Sequence, residues 1–510
     1  MAQSTATLGL GALTIDAVVR VARAGTKVKI APASLAAMKR SRAVVERALS
    51  DGLAHYGINT GFGSLSKQRI NQGDLAALQH NLVRSHAAGV GEPLPRDVVR
   101  ATMLLLAASL ARGLSGVRPV VCETIVKMLN AGVTPVVPSV GSVGASGDLA
   151  PLAAIALVAI GEGEATVGRS ERVAAGGDAL RKAGIKPLAL SAKEGLALIN
   201  GTHLMAGSGC LLAHDTDVLL DAAITALAMS IDACRATDQF LDDRLYAARS
   251  NESMRVVAER LRDLLMGSRI VKSHVENDPR VQDSYSLRAA PTVLGACRQA
   301  AGVLYATLEN AELGAVTDNP LVFPRGTRGD ILSGANFHGM PLAIPLDTLA
   351  VALCHIAGIS ERRTYLITGA FEPESHLKPY LSPRPGLQSG LMIAQYTAAA
   401  CVNEMIGLAT PASVANLSTS AGMEDYNSFG PRSAAKAARA IDLARRVVAI
   451  EFLCAAQGLE YHRPLKSGKG VEGAYKIVRS KVKKLTEDRP LTADIEAIAE
   501  LIRIGAFVGL

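Results

Sequence analysis

Residues 141–151 read Gly141-Ser142-Val143-Gly144-Ala145-Ser146-Gly147-Asp148-Leu149-Ala150-Pro151. Nothing in that string is bulky enough to fill a core before Leu149. Its glycines let the backbone turn where a side chain would clash. Held in a bend, the Gly147 nitrogen can attack the Ala145 carbonyl and close a five-membered ring. One water leaves from that junction and a second from the Ser146 side chain. What remains is a conjugated ring with an electron-poor exocyclic carbon. Alanine gives a small carbonyl, serine the leaving hydroxyl, and glycine an unhindered nitrogen. Residues 149–160 are apolar throughout, so the loop opens a buried helix. A plain Gly/Ser turn with Asp148 as helix cap would use the same residues without any chemistry.

The rest of the composition favours helices packed closely. Of 510 residues, 49% are hydrophobic, only 4% are aromatic and none is Trp. Such a chain can bury a large core in two or three lobes. The net charge of +8 gathers late, at residues 466–484. Without interleaved aromatics that stretch reads as a solvated helix face, not a nucleic-acid surface. Seven scattered cysteines include no Cys-x-x-Cys pair, which points to buried thiols and away from disulfides or a metal site. Residues 1–14 lack the basic start and apolar centre of a signal peptide, and runs such as 103–111 are too short to span a bilayer. These features predict a soluble cytoplasmic protein without membrane or nucleic-acid partners.

Helical patterns are predicted over residues 98–112, 118–130, 149–161, 194–205, 209–237, 291–314, 346–368 and 389–408, and through the tail from 441. Residues 162–192 mix Gly, Pro and charge, which sets a boundary between an N-terminal lobe at 1–190 and a helical region at 191–510. Five further strings carry polar residues where packing alone does not require them. His55-Tyr56-Gly57-Ile58-Asn59-Thr60-Gly61-Phe62-Gly63 is a glycine-rich loop with a tyrosine. Ser85-His86-Ala87-Ala88-Gly89 ends a helix, where a histidine is usually a cap. Asn200-Gly201-Thr202 sits in an apolar helical run, where a buried Asn needs a partner. Gln282-Asp283-Ser284-Tyr285-Ser286-Leu287-Arg288 puts Tyr285 and Arg288 on one face if helical. Ser418-Thr419-Ser420-Ala421-Gly422-Met423-Glu424-Asp425-Tyr426 carries an acidic pair.

Together these strings resemble, over nearly the whole chain, the ammonia-lyases and aminomutases that make a methylidene-imidazolone (MIO) electrophile from their own backbone. The resemblance is nearest to the histidine branch, whose Ser-His-Ala-Ala-Gly pattern is kept. It implies a mainly α fold: a long-helix bundle of the fumarase/aspartase-like type, with a smaller N-terminal lobe carrying the MIO loop. It implies deamination of L-histidine to trans-urocanate, with MIO formed from Ala145, Ser146 and Gly147 and no external cofactor or metal. Tyr56, Tyr285, Asn200 and Glu424 inherit catalytic roles, Tyr285 being the expected base. His86, Gln282, Arg288 and Phe337, the last in Gly334-Ala335-Asn336-Phe337-His338, inherit substrate contacts. The family's sites are shared between subunits of a homotetramer. Two departures bear on substrate. Ser284 stands where the pattern has proline. Gly422, Met423 and Tyr426 replace Asn, Gln and His beside the kept Glu-Asp pair. A tyrosine or phenylalanine ammonia-lyase, or a tyrosine aminomutase, would use the same electrophile. An inactive relative would be free to lose the ring-forming trio and both tyrosines, which are intact.

Overall fold

The computed structural model describes residues 5–276, 278–326 and 328–510. The chain is mainly α, with helices of up to 31 residues. Its contacts gather into two compact units, each built from separated stretches. One comprises Met1–His214, Leu304–Leu346 and Ala412–Ala435, the other Asp215–Val303, Asp347–Pro411 and Lys436–Leu510. The lobes expected at 1–190 and 191–510 are continuous segments; the units are not, because the chain returns twice to each.

In the first unit, helix Arg96–Ala111 has every residue from Val99 to Ala111 buried. A helix apolar on all sides must be surrounded, and Ile15–Arg23 and Pro119–Ala131 pack against it. Arg100, inside this packing, donates to the Val21, Ala22 and Leu129 carbonyls at 2.8, 3.1 and 3.1 Å. Those carbonyls lie at the C-terminal ends of the two neighbouring helices, where intrahelical donors run out. Burial lowers the Arg100 pKa to about 10, which keeps it charged at neutral pH. Short strand pairs pin the loops between helices. Val90–Pro93 pairs antiparallel with Pro138–Val140, just before the glycine loop. Leu321–Arg325 forms a hairpin with Arg328–Leu332.

The single helix expected over 194–205 is two helices, Glu194–Ile199 and His203–Ala233. The break falls at Asn200-Gly201-Thr202. Gly201 has φ +131°, a conformation that only glycine adopts freely. The Gly201 carbonyl accepts from the Asp148 amide at 2.8 Å, so the glycine loop takes the place of the next helical turn.

The second unit holds most of the long helices. At its centre the Arg363 and Glu451 side chains are fully buried and 2.5 Å apart. Ser230 and Ser360 each donate to Glu451 at 2.6 Å, so the carboxylate is saturated, as a buried charge requires. Five of the seven cysteines are buried and all are free thiols.

Helix Met340–Gly369, unlike shorter runs such as 103–111, is by length and composition apolar enough to cross a membrane. Of its most apolar 18 residues, 61% are buried within the protein, as in a core helix. Its start precedes the predicted one by six residues, and Pro345 lies inside it.

Candidate active site

The glycine loop is shaped by close approach. Gly147 has φ +73°, and a Cβ there would sit 2.1 Å from the Gly201 carbonyl oxygen; at Gly144, φ +68°, it would sit 2.0 Å from Ser428 Oγ. Neither position admits another residue without moving backbone or its anchor. Ser142 Oγ accepts from the Gly144 amide at 3.2 Å and lies 3.2 Å from the Gly147 carbonyl. Asp148 does not cap the helix that follows it, Leu149–Ala159. Its Oδ2 accepts from the Leu204 and Met205 amides at 2.8 and 3.1 Å, the unpaired donors at the start of His203–Ala233. Burial pushes the Asp148 carboxyl up to about 7 against the pull of those amides. The loop is therefore tied to the helix whose start defines Asn200.

Ala145 is buried and Ser146 half-buried. Ser146 Oγ donates to Glu424 Oε1 at 3.0 Å, and Thr419 Oγ1 donates to Oε2 at 3.3 Å. Two cavities of about 470 and 400 Å³ meet at Ser146, sharing Tyr56, Gly63, Asn200 and Glu424. His86 lines the first; Phe337, His338 and Tyr426 line the second. A larger cavity of about 860 Å³ in the second unit contains none of the predicted residues.

Electrostatics separate the roles these groups can take. Burial raises the Tyr56 pKa, the Gly63 amide lowers it and the Glu424 charge raises it, so Tyr56 is a protonated phenol at neutral pH. Burial lowers the His86 pKa, against the Leu82 carbonyl and Glu424, which raise it. His86 Nδ1 lies 2.9 Å from the Leu82 carbonyl, which can only accept, so Nδ1 carries the proton and Nε2 is the acceptor. One cavity thus offers two acceptors, His86 Nε2 and the Glu424 carboxylate. Asn200 is 3% exposed, and its Oδ1 has no partner among the described residues.

The structure thus brings together Tyr56, His86, Ala145, Ser146, Asn200, Phe337 and Glu424. Gln282, Tyr285 and Arg288 belong to the second unit and form their own cluster. Arg288 Nη2 donates to Gln282 Oε1 at 2.7 Å, and its guanidinium lies 4.4 Å from the Tyr285 ring centre. Tyr285–Arg288 is one helical turn despite Ser284 at the proline position, so the expected register holds. Tyr285 is 72% exposed. Sequence reasoning assigned nothing to His338, although its string was noted; a histidine without a distinctive spacing gives no signal.

The profile of the family described as "Aromatic amino acid lyase" matches residues 13–480. The chain is 47% identical over 500 residues to a histidine ammonia-lyase of Anaeromyxobacter sp. (strain K), covering 97% of each. Among solved structures it is similar to the histidine ammonia-lyase of Trypanosoma cruzi, with TM-score 0.91, 37% identity, and 99% and 94% coverage. It is also similar to the tyrosine aminomutase of Streptomyces globisporus, with TM-score 0.92, 33% identity, and 99% and 98% coverage.

Proposed function

The chain belongs to the aromatic amino acid lyases, and on that premise we propose that it deaminates L-histidine to trans-urocanate and ammonia. The observation that carries this reading is the 3.0 Å contact between Ser146 Oγ and Glu424 Oε1, in a cavity that His86 also lines. It joins the serine of the ring-forming trio to a carboxylate suited to an imidazole N–H.

The trio fits a self-made MIO. Gly147 has no room for a side chain, Ala145 is buried, and Asn200 Oδ1, without a partner among the described residues, lies in the same cleft. When formed, that group supplies an electrophilic carbon for the substrate amine. The chain's own side chains do the rest. Loss of the Ser146 hydroxyl leaves Glu424 Oε1 without its donor while Oε2 keeps Thr419. Oε1 then accepts from the substrate imidazole N–H, against Phe337, and His86 Nε2 accepts the second N–H when the ring is protonated. Arg288 grips the carboxylate with its fork, Asn200 and Gln282 orient the substrate, and Tyr285 takes the β-proton. Tyr56, protonated, donates a hydrogen bond or relays a proton. Assembly of a homotetramer brings Gln282, Tyr285 and Arg288 of one subunit to the Ser146 cleft of another. The setting is the cytoplasm.

A second reading is tyrosine chemistry, by ammonia-lyase or aminomutase. Gly422, Met423 and Tyr426 depart from the histidine pattern, the chain has a likeness to a tyrosine aminomutase, and a phenol can donate to either acceptor. Steady-state assays with His, Tyr and Phe, following each acrylate and each β-amino acid, decide between them. The histidine reading requires kcat/KM to be highest for His; a preference for Tyr overturns it.

A further inference from the structure

Glu424 sits on a strap, residues 416–429, whose own bonds are mostly internal. Asn416 and Asn427 pair at its neck, with Asn416 Nδ2 to the Asn427 carbonyl and the Asn427 amide to Asn416 Oδ1, both at 2.8 Å. Thr419 and Glu424 pair across its tip, where Ser420, Ala421 and Gly422 have φ +53°, +52° and +87°. Three successive left-handed residues, two of them not glycine, make a strained turn. The base is anchored to the glycine loop, with Ser428 Oγ donating to the Gly144 carbonyl at 3.0 Å and the Phe429 amide to the Val143 carbonyl at 2.9 Å.

Between base and tip, the backbone of Glu424-Asp425-Tyr426 receives one hydrogen bond from outside the strap among the described residues. His338 lies 3.0 Å by Nε2 from the Tyr426 carbonyl. A carbonyl only accepts, so Nε2 carries the proton. Nδ1 accepts from the Met340 amide at 3.3 Å, at the start of helix Met340–Gly369. The His338 and Tyr426 rings also stack, with centroids 6.3 Å apart and 29° between planes. Both ring nitrogens are therefore committed, one to the strap and one to a helix start. On either side of His338, Phe337 lines the cleft and the Gly339 amide donates to the Gly144 carbonyl at 3.2 Å.

From this geometry we propose that His338 is a positioning residue that sets the register of Glu424 in the cleft through the Tyr426 carbonyl. The inference rests on the assignment of Glu424 to substrate recognition. A carboxylate displaced by about 1 Å loses most of its advantage over solvent, so releasing the strap acts on Glu424 without touching it.

The two nitrogens can be tested separately. In His338→Gln the side-chain Nε2 can still donate to Tyr426, and the acceptor for Met340 is lost. In His338→Asn the Oδ1 can still accept from Met340, and the donor to the strap is lost. The proposal expects His338→Gln to keep histidine kcat/KM within about threefold of the parent and His338→Asn to lose about tenfold, the worth of one hydrogen bond, chiefly in KM. Thermal melting and the two-water mass deficit of a closed ring should be the same in both. Combining His338→Asn with Glu424→Gln should add little to Glu424→Gln alone. The reverse pattern, Asn rescuing and Gln not, would assign His338 to the helix start and overturn the proposal, as would additive losses. A parent without histidine turnover, or a Glu424→Gln variant equal to the parent, would instead overturn the reading of Glu424 beneath it.

Discussion

Replacing Glu424 by Gln tests substrate recognition with little change of shape. Gln keeps the volume and one acceptor oxygen, so Thr419 and the strap have no reason to move. What is lost is the charge and the second acceptor: with the amide oxygen kept on Thr419, an NH2 donor takes the place of Oε1. A hydrogen bond to a charged group contributes about 1.5–3 kcal/mol, so histidine kcat/KM should fall about ten- to 150-fold. Phenylalanine brings no donor, and a carboxylate buried against its ring is a cost that Gln reduces. Its kcat/KM should hold or rise, and the preference for histidine should narrow by at least the histidine loss. The same change has a second readout. Glu424 is one of the groups raising the Tyr56 pKa, so removing its charge moves Tyr56 ionisation to lower pH, and any alkaline limb governed by Tyr56 follows. The assay is kcat/KM for both amino acids, parent and variant, across pH. Equal fractional losses for histidine and phenylalanine would refute the reasoning and assign Glu424 to chemistry common to all substrates.

Arg288→Lys keeps a charge but not the fork, and should lose about tenfold or more in histidine kcat/KM; parity with the parent would reassign carboxylate recognition. Asp148 has a folded pKa near 7 against its ordinary 3.8. The folded chain thus holds a proton that the unfolded chain has released. The contribution is present below 3.8 and is lost as pH rises towards 7. Asp148→Asn should remove that slope, so urea-unfolding curves of parent and variant diverge across the window; parallel curves would contradict it. Glu451→Gln leaves the buried Arg363 charge without its counter-ion and should destabilise the chain by about 3–5 kcal/mol in equilibrium unfolding.

Much of this was legible in the sequence because it is local. The glycine loop is legible because only small residues tolerate its approaches to Gly201 and Ser428. Helix Arg96–Ala111 is legible because an apolar run of that length has few other fates. Tyr285 and Arg288 share a face through spacing alone. What was not legible depends on partners distant in the chain. Asn200-Gly201-Thr202 looks like the middle of a helix until the loop around Asp148 takes up the Gly201 carbonyl. Asp148 reads as the cap of the next helix, but its carboxylate serves the amides of Leu204 and Met205. His338 carries no spacing that marks it; its two nitrogens acquire meaning only when Tyr426 and Met340 are brought to it. The units escape a linear reading because each is gathered from three stretches.

The account turns on the trio Ala145-Ser146-Gly147 becoming the electrophile. The most direct test is the intact mass of the purified protein, taken on the same sample that is assayed for ammonia release from histidine. The account predicts that the active chain weighs two waters less than the encoded sequence, and that Ser146→Ala loses both that deficit and turnover while remaining folded. Full activity in a chain of the encoded mass, or in a folded Ser146→Ala variant, would contradict it.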